Sequence, residues 1–285
     1  MTQYRYQLDK TSKKFNCPQC GKKRFVKYVD VENDNYADSN YGRCDRESSC
    51  GYLAYPTNEI KMNYKYVEAP PIKATYINKE LRDKSLNKYE INPLVTYLIS
   101  NGYSRDVVEP TLLKYHVGTS NMFNGSTVFW QTDHTGNIRT GKIMAYDTVT
   151  GKRIKDKASI TWVHCIVDIP NFNLKQCLFG LHLINNKQKR IAVVESEKTA
   201  LIMSLEFPSE IWMATGSLQG FKYDYLLPLK NYEVIAFPDK GGFHKWNKVA
   251  QELNSLGFDI RVSKYLERLE FDDGWDLVDV IEYDA

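Results

Sequence analysis

The sequence has no apolar run approaching the roughly 20 residues that a membrane-spanning helix needs. Its opening stretch, MTQYRYQLDK, also lacks the apolar segment of a secretory signal. A cytoplasmic protein with no membrane partner is expected. No Gly-Lys-Ser/Thr phosphate-binding loop is present, which excludes a P-loop motor. Cysteine is scarce, six in 285 residues, and in a reducing compartment those six are metal ligands or thiols before they are disulfides. The five histidines, His116, His134, His164, His182 and His244, do not pair with cysteine at ligand spacing and are expected to be structural or on the surface.

Neither sign of charge dominates: the net charge is only +3. It is unevenly spread, however. Residues 1–30 carry eight Lys/Arg against Asp9 and Asp30, a net +6, whereas residues 266–285 carry eight acids against Arg268, a net −7. This pattern suggests a polyanion contact at the front and cation binding at the rear. With 285 residues the chain can hold one large domain or two smaller ones.

Cys17-Pro18-Gln19-Cys20-Gly21 has the form of a metal knuckle, and Cys44 and Cys50, followed by Gly51, offer a second pair. Four thiolates around one tetrahedral Zn²⁺ would make a zinc ribbon over residues 1–58, with a strand at 24–29 between the pairs. Such a site contributes on the order of 10 kcal/mol to folding a module too small for a large core. The five-residue spacer of the second pair is looser than is usual, and unliganded buried thiols are the alternative. Cys165 and Cys177 have no such partners and are expected to be small core residues.

Residues 59–75, with the Pro70-Pro71 pair, have the composition of a linker. Residues 76–190 are expected to form a helical pair and a β-rich basic subdomain. Asn92-Pro93 opens a helix with Leu94, Tyr97 and Leu98 on one face, Gly102 ends it, and Ser104 is placed to cap a second helix through Val107 and Val108. From Thr127 to Leu183 the texture is strands and turns. Arg139, Lys142, Lys152, Arg153, Lys155 and Lys157 there could line a phosphate path, with Tyr146 and Trp162 available to stack on bases; solvent-facing cations on a half-buried sheet are the bland alternative.

The stretch IAVVESEKTALIMSL, residues 191–205, reads as a buried strand, an acidic turn and a helix capped by Ser196. Strand patterns recur at 211–215 and 232–237, the second ending in Pro238-Asp239-Lys240-Gly241-Gly242. Trp246, Val249, Ala250 and Leu253 then mark one helical face, and Phe258–Val262 alternates as a further strand. This alternation implies a largely parallel sheet flanked by helices over residues 191–285. Glu195 and Asp239 both lie just past strand ends, where open α/β sheets bind ligands. Two carboxylates plus substrate phosphates are a typical Mg²⁺ environment.

Glu195 within VVESEKTA, a strand leading to Asp239-Lys240-Gly241-Gly242, and a late acidic segment, in that order, resemble the TOPRIM domain of bacterial primases, topoisomerases and some nucleases. The Cys-rich front end narrows the resemblance to bacterial and phage primases, closest to primase-like TOPRIM proteins of bacterial mobile elements. So do Tyr97-Leu98 with Gly102-Tyr103-Ser104, then Tyr115 to Gly118, and the basic strand-rich half. The resemblance runs from about Phe15 to the end of the chain. It implies a mixed α/β protein: zinc ribbon, helical and β-rich middle, and a TOPRIM-like parallel sheet.

The resemblance also implies template-directed nucleotidyl transfer on single-stranded DNA from nucleoside triphosphates, with catalytic Glu195 and Asp239 holding Mg²⁺ or Mn²⁺, Glu197 and Asp276 as further candidate ligands, and Lys142, Arg153, Lys155, Lys198 and Lys240 as nucleotide or nucleic-acid contacts. Any helicase would be a separate protein. The chain departs from the family pattern at Ser196, at Thr199, where the pattern has Asp, and at Phe237, where it has the first of two Asp. Two alternatives follow: a single-stranded DNA-binding protein with a decayed TOPRIM site, or a TOPRIM nuclease. A topoisomerase is disfavoured because the chain is short for a strand-passage gate.

Overall fold

Short β-patterned pieces dominate the first 56 residues, and an α/β alternation dominates the last hundred; the computed structural model follows both textures. It describes residues 4–46, 49–56, 73–156, 159–184 and 190–284. Most of the expected linker, and Lys157, lie outside the described residues. The chain divides into two compact units, residues 1–70 and 71–285.

In the first unit β1 (Tyr6–Leu8), β2 (Phe15–Asn16), β3 (Lys23–Asp30), β4 (Asn35–Tyr36), β5 (Gly42–Cys44) and β6 (Leu53–Ala54) form one antiparallel sheet around β3, which pairs with β1, β2, β4 and β5. Its core is small: Cys17, Phe25 and Cys44 are buried, with Phe15, Cys20, Cys50 and Tyr52 packed on them. A core of that size needs a staple to hold a module this short.

The second unit begins with α1 (Lys79–Ser85), α2 (Pro93–Ser100) and α3 (Arg105–Lys114). Pro93 sits at the first helical position of α2, and Asn92 Oδ1 accepts the Leu94 N–H at 3.1 Å, as the sequence leads one to expect. Ser104 does occupy the N-cap of α3, but its side chain makes no capping hydrogen bond, and of the two valines only Val108 is buried. β7 (Val117–Thr119), β8 (Thr127–Thr132), β9 (Ile138–Met144) and β10 (Ile160–Trp162) form an antiparallel sheet in the order β10-β9-β8-β7, followed by α4 (Val163–Ile166). The β8–β9 turn is tied by Asp133 Oδ1, which accepts the N–H groups of Thr135 and Asn137 at 3.0 and 2.9 Å. Cys177 is buried as expected, but Cys165 is exposed on α4 and is not a core residue.

β11 (Arg190–Val194), α5 (Glu197–Glu206), β12 (Ile211–Ala214), α6 (Tyr223–Leu226), β13 (Glu233–Phe237), α7 (Phe243–Ser255), β14 (Asp259–Val262) and α8 (Leu277–Asp284) complete the chain. The strands are all parallel, in the order β12-β11-β13-β14. Alternate residues divide between the faces. Ala192 and Val194 pack with Ala200 and Leu201 of α5 and Val278 of α8, while Ile191 and Val193 pack with Trp246, Ala250 and Leu253 of α7. The first of these cores also takes in Leu94, Leu98, Leu112 and Phe129, so apolar packing is continuous across residues 190–191. Among the described residues no helix is long and apolar enough to cross a membrane.

Candidate functional site

The four expected cysteines converge in the first unit. Each knuckle turns on a glycine in the left-handed region, Gly21 at φ 67° and Gly51 at φ 66°, and Cys17 O accepts the Gly21 N–H at 2.9 Å. The four Sγ atoms lie within 4.8 Å of one another, with Cys17 and Cys50 at 3.7 Å and Cys20 and Cys44 at 4.0 Å. Zn–S bonds of about 2.3 Å in a tetrahedron place sulfurs ~3.8 Å apart, so the spacing fits zinc. The electrostatics fit as well. The Lys22 backbone N–H leads in drawing the Cys20 thiol down to about 6. At Cys50 the Tyr52 N–H pulls the same way, but burial and the other three sulfurs outweigh it and push the thiol up to about 12. Four thiolates can be held together only against a cation, and this is a structural zinc site.

In the second unit β11 and β13 are neighbours, with Val194 opposite Phe237. The chain leaves β11 for β12 on one side, and leaves β13 for β14 on the other. The crevice between their carboxyl ends is therefore the topological switch point, and Glu195 and Asp239 flank it. The acidic segment returns here because Lys240 N–H donates to Trp275 O at 2.8 Å and Gly274 N–H donates to Lys240 O at 2.9 Å. Asp276 then caps α8: its Oδ1 accepts the N–H groups of Val278 and Asp279 at 2.8 and 3.1 Å. Its Oδ2 receives the Thr199 hydroxyl, so Thr199 joins the cluster as a donor.

Burial first, and then the charges of Glu195, Asp276 and Asp279, push Asp239 up to about 8. Glu195 is pushed up to about 6, chiefly by burial, although the Asp239 backbone N–H and the Lys245 charge oppose this. Asp239 Oδ1 is buried and has no hydrogen-bond partner among the described residues. Two desolvated carboxylates and an unpartnered oxygen fit a hard divalent cation. Asp279, raised chiefly by burial although the Asp276 backbone N–H opposes this, and Lys245 are members of the cluster that the sequence reading did not single out.

A cavity of about 230 Å³ opens beside this pair, lined by Glu195, Asp239, Lys142, Arg153 and Lys198 among others. Glu197 also contributes to this lining, but it is buried and its Oε2 accepts Lys142 Nζ at 3.0 Å. Lys142 also donates to Gly216 O at 3.2 Å and to Glu197 Oε1 at 3.2 Å, so three protein acceptors meet its three donors. The structure does not place Lys240 here. Its ammonium donates to Leu269 O and Leu266 O at 2.7 and 3.4 Å. Arg139 pairs with the buried Asp133 at 2.8 Å, Lys155 is exposed and does not line the cavity, and Tyr146, although largely buried, contributes to the cavity lining. Phe237 packs its ring 5.7 Å from that of Trp212.

Residues 92–240 match the model of a family described as a domain of unknown function, DUF6371. The chain belongs to this family. Residues 4–65 match a zinc beta-ribbon finger model, over the stretch that carries the four cysteines. No curated protein matches the chain. Among solved structures it is similar to the primase fragment of the bacteriophage T7 primase-helicase protein, at 17% identity over 92% of this chain and 91% of that one, TM-score 0.45. It is also similar to the zinc-binding and RNA polymerase domains of Aquifex aeolicus primase, at 14% identity over 97% of this chain and 77% of that one, TM-score 0.44. A third similar structure is a DnaG primase catalytic domain bound to ssDNA, at 14% identity over 73% of each chain, TM-score 0.44.

Proposed function

We propose that this DUF6371 protein is a primase-like nucleotidyltransferase that extends a strand on single-stranded DNA from nucleoside triphosphates, in the replication of DNA or of a mobile element. The observation that carries this reading is the meeting of Glu195 and the unpartnered Asp239 Oδ1 at the switch point of a parallel sheet, beside a cation-lined cavity. The order of zinc ribbon, basic strand-rich half and TOPRIM-like motif supports it.

Glu195 and Asp239 would hold Mg²⁺ or Mn²⁺, with Asp279 near enough to perturb Asp239. A divalent ion bound there would favour ionisation of a primer 3′-hydroxyl and neutralise charge on the phosphoryl group under attack. Lys198 and Arg153 line the same cavity and supply the cations that orient a triphosphate. In the reaction the 3′-oxygen bonds to the α-phosphorus, the bond from that phosphorus to the β-phosphate oxygen breaks, pyrophosphate leaves, and the hydroxyl proton passes to solvent. Unwinding would fall to a separate helicase.

One observation favours a second reading, a single-stranded DNA-binding protein without catalysis. Phe237 and the Lys142–Glu197 pair leave fewer carboxylates free than the TOPRIM pattern offers. Primer synthesis on single-stranded DNA with Mg²⁺ or Mn²⁺ separates the two. Products from the wild type that vanish in both Glu195→Gln and Asp239→Asn establish the enzyme. No product with either metal, together with equal strand binding by all three proteins, establishes the binding protein.

A further inference from the structure

Next to the carboxylate cavity lies a second one of about 190 Å³, and the two share Gly216 and Ser217. Its walls include Gln131, Trp162, Gln176 and Tyr225. Gln131 is 2% exposed, yet its Oε1 has no hydrogen-bond partner among the described residues. A buried carbonyl oxygen left unpaired costs about 1–3 kcal/mol, so the position calls for a donor from outside the protein. Gln176 offers the complementary group: the Tyr225 hydroxyl donates to Gln176 Oε1 at 3.1 Å, which leaves the Gln176 NH₂ as a donor.

The antiparallel sheet aligns this cavity with the cations. Phe129 and Trp162 are both directly opposite Lys142, and Gln131 follows Phe129 two residues on along β8. Cross-strand partners and alternate residues share a face, so Gln131, Lys142 and Trp162 do too. Lys142 Nζ lies 5.9 Å from the centre of the Trp162 ring and donates to Glu197 and Gly216, at the seam between the two cavities. A cavity this size is smaller than the ~300–1,000 Å³ of a whole-ligand pocket, although the two together fall within that range. It suits one fragment of a ligand whose remainder lies next door: a planar group with an N–H and an acceptor on one edge, beside an indole.

We infer that this cavity is a nucleobase subsite, in which Gln131 Oε1 accepts an N–H from the base of an incoming nucleoside triphosphate, Gln176 donates to the same edge, and Trp162 contacts its face. The inference rests on the proposed nucleotidyl-transfer reading, which puts the triphosphate in the neighbouring cavity. It adds that the base is held by side chains of this protein as well as by any template.

The test is calorimetric titration of the full chain, with Mg²⁺ present, by each of ATP, GTP, CTP and UTP, by inorganic tripolyphosphate, and by a homopolymeric deoxyoligonucleotide. The variants are Gln131→Leu, which keeps the side chain's bulk and removes its acceptor, and Trp162→Ala. Trp162 is only half-buried, so its variant retains the fold if the core substitution does not. The wild type is expected to bind at least one nucleoside triphosphate about tenfold more tightly than tripolyphosphate, and both variants to lose about that factor for the nucleotide alone. Equal wild-type affinity for nucleotide and tripolyphosphate, or variants that weaken both alike, overturns the subsite and leaves the transferase reading standing. Weakened oligonucleotide binding with unchanged nucleotide binding assigns the cavity to a strand base and overturns the incoming-nucleotide assignment. A wild type that binds neither nucleotide nor tripolyphosphate overturns both.

Discussion

Lys142 and Glu197 lie on different sheets' elements, fifty-five residues apart in sequence, and their Nζ and Oε2 atoms are 3.0 Å apart with both side chains buried. Gly216 closes the pair from a third side. Its φ is 78°, and a Cβ there would lie 3.0 Å from Glu197 Oε1, so only glycine fits without displacing the carboxylate. Removing one partner of a buried pair strands the other's charge at a cost of about 3–5 kcal/mol, whereas replacing both with apolar residues is nearly neutral. Glu197→Gln is therefore expected to lower the urea midpoint of the second unit strongly. The Lys142→Met/Glu197→Leu double variant should recover most of that loss; equal midpoints for Glu197→Gln and wild type would show that the pair does not hold the site.

His116 and His182 stack with ring centres 4.0 Å apart and planes at 7°. Burial, then the neighbouring His182 and Arg82, bring His116 down to about 3, and burial lowers His182 as well. The unfolded chain binds protons on these rings near 6.5, and the folded chain does so only at lower pH. Stability is therefore complete above about 6.5 and is lost as pH falls from there towards 3. His116 sits at φ 53°, a conformation that asparagine tolerates. Urea unfolding at pH 7.5 and at pH 5 should show a large loss for the wild type and a smaller one for His116→Asn.

The ribbon's core contains little beyond Phe25 and the cysteines, so its fold depends on the cation. One zinc per chain is expected by elemental analysis. A strong chelator should unfold residues 1–70, read by loss of amide-exchange protection there, while residues 71–285 keep theirs. Cys44→Ser should reproduce the effect, since Cys44 is wholly buried among the other sulfurs.

The resemblance to TOPRIM domains leads one to expect a carboxylate at Phe237, but its ring lies among Trp212, Leu277 and Val280 along an apolar cavity. Putting Asp there buries a charge with no partner and removes an aromatic contact. Phe237→Asp should destabilise the protein by about 3 kcal/mol or more and leave Mn²⁺ affinity no higher than wild type, as judged by urea unfolding and metal titration.

Much of this was readable from local pattern. The knuckle spacings announced the cysteine cluster, the Asn92-Pro93 start announced α2, and the alternation after Ile191 announced a parallel sheet with Glu195 and Asp239 at strand ends. What local pattern could not supply was the strand order that makes β11 and β13 neighbours, because pairing is settled by packing across the chain. Two misreadings share that cause. Lys240 looks available in sequence, but the Leu269 and Leu266 carbonyls occupy its ammonium. Cys165 looks apolar, but a four-residue helix leaves it facing outward. The Lys142–Glu197 pair and the unpartnered Gln131 Oε1 have no sequence signature, since nothing within a few residues of any of these three marks its partner or lack of one.

The central claim is that Glu195 and Asp239 form a divalent-cation site, and the most direct test is Mn²⁺ binding followed by electron paramagnetic resonance on the zinc-loaded full chain. Wild type should bind one Mn²⁺ beyond the zinc, and Glu195→Gln and Asp239→Asn should each weaken that binding at least about tenfold, since each removes one of the two carboxylates at the crevice. Identical Mn²⁺ binding in all three proteins would contradict the account, because the switch-point carboxylates would then hold no metal.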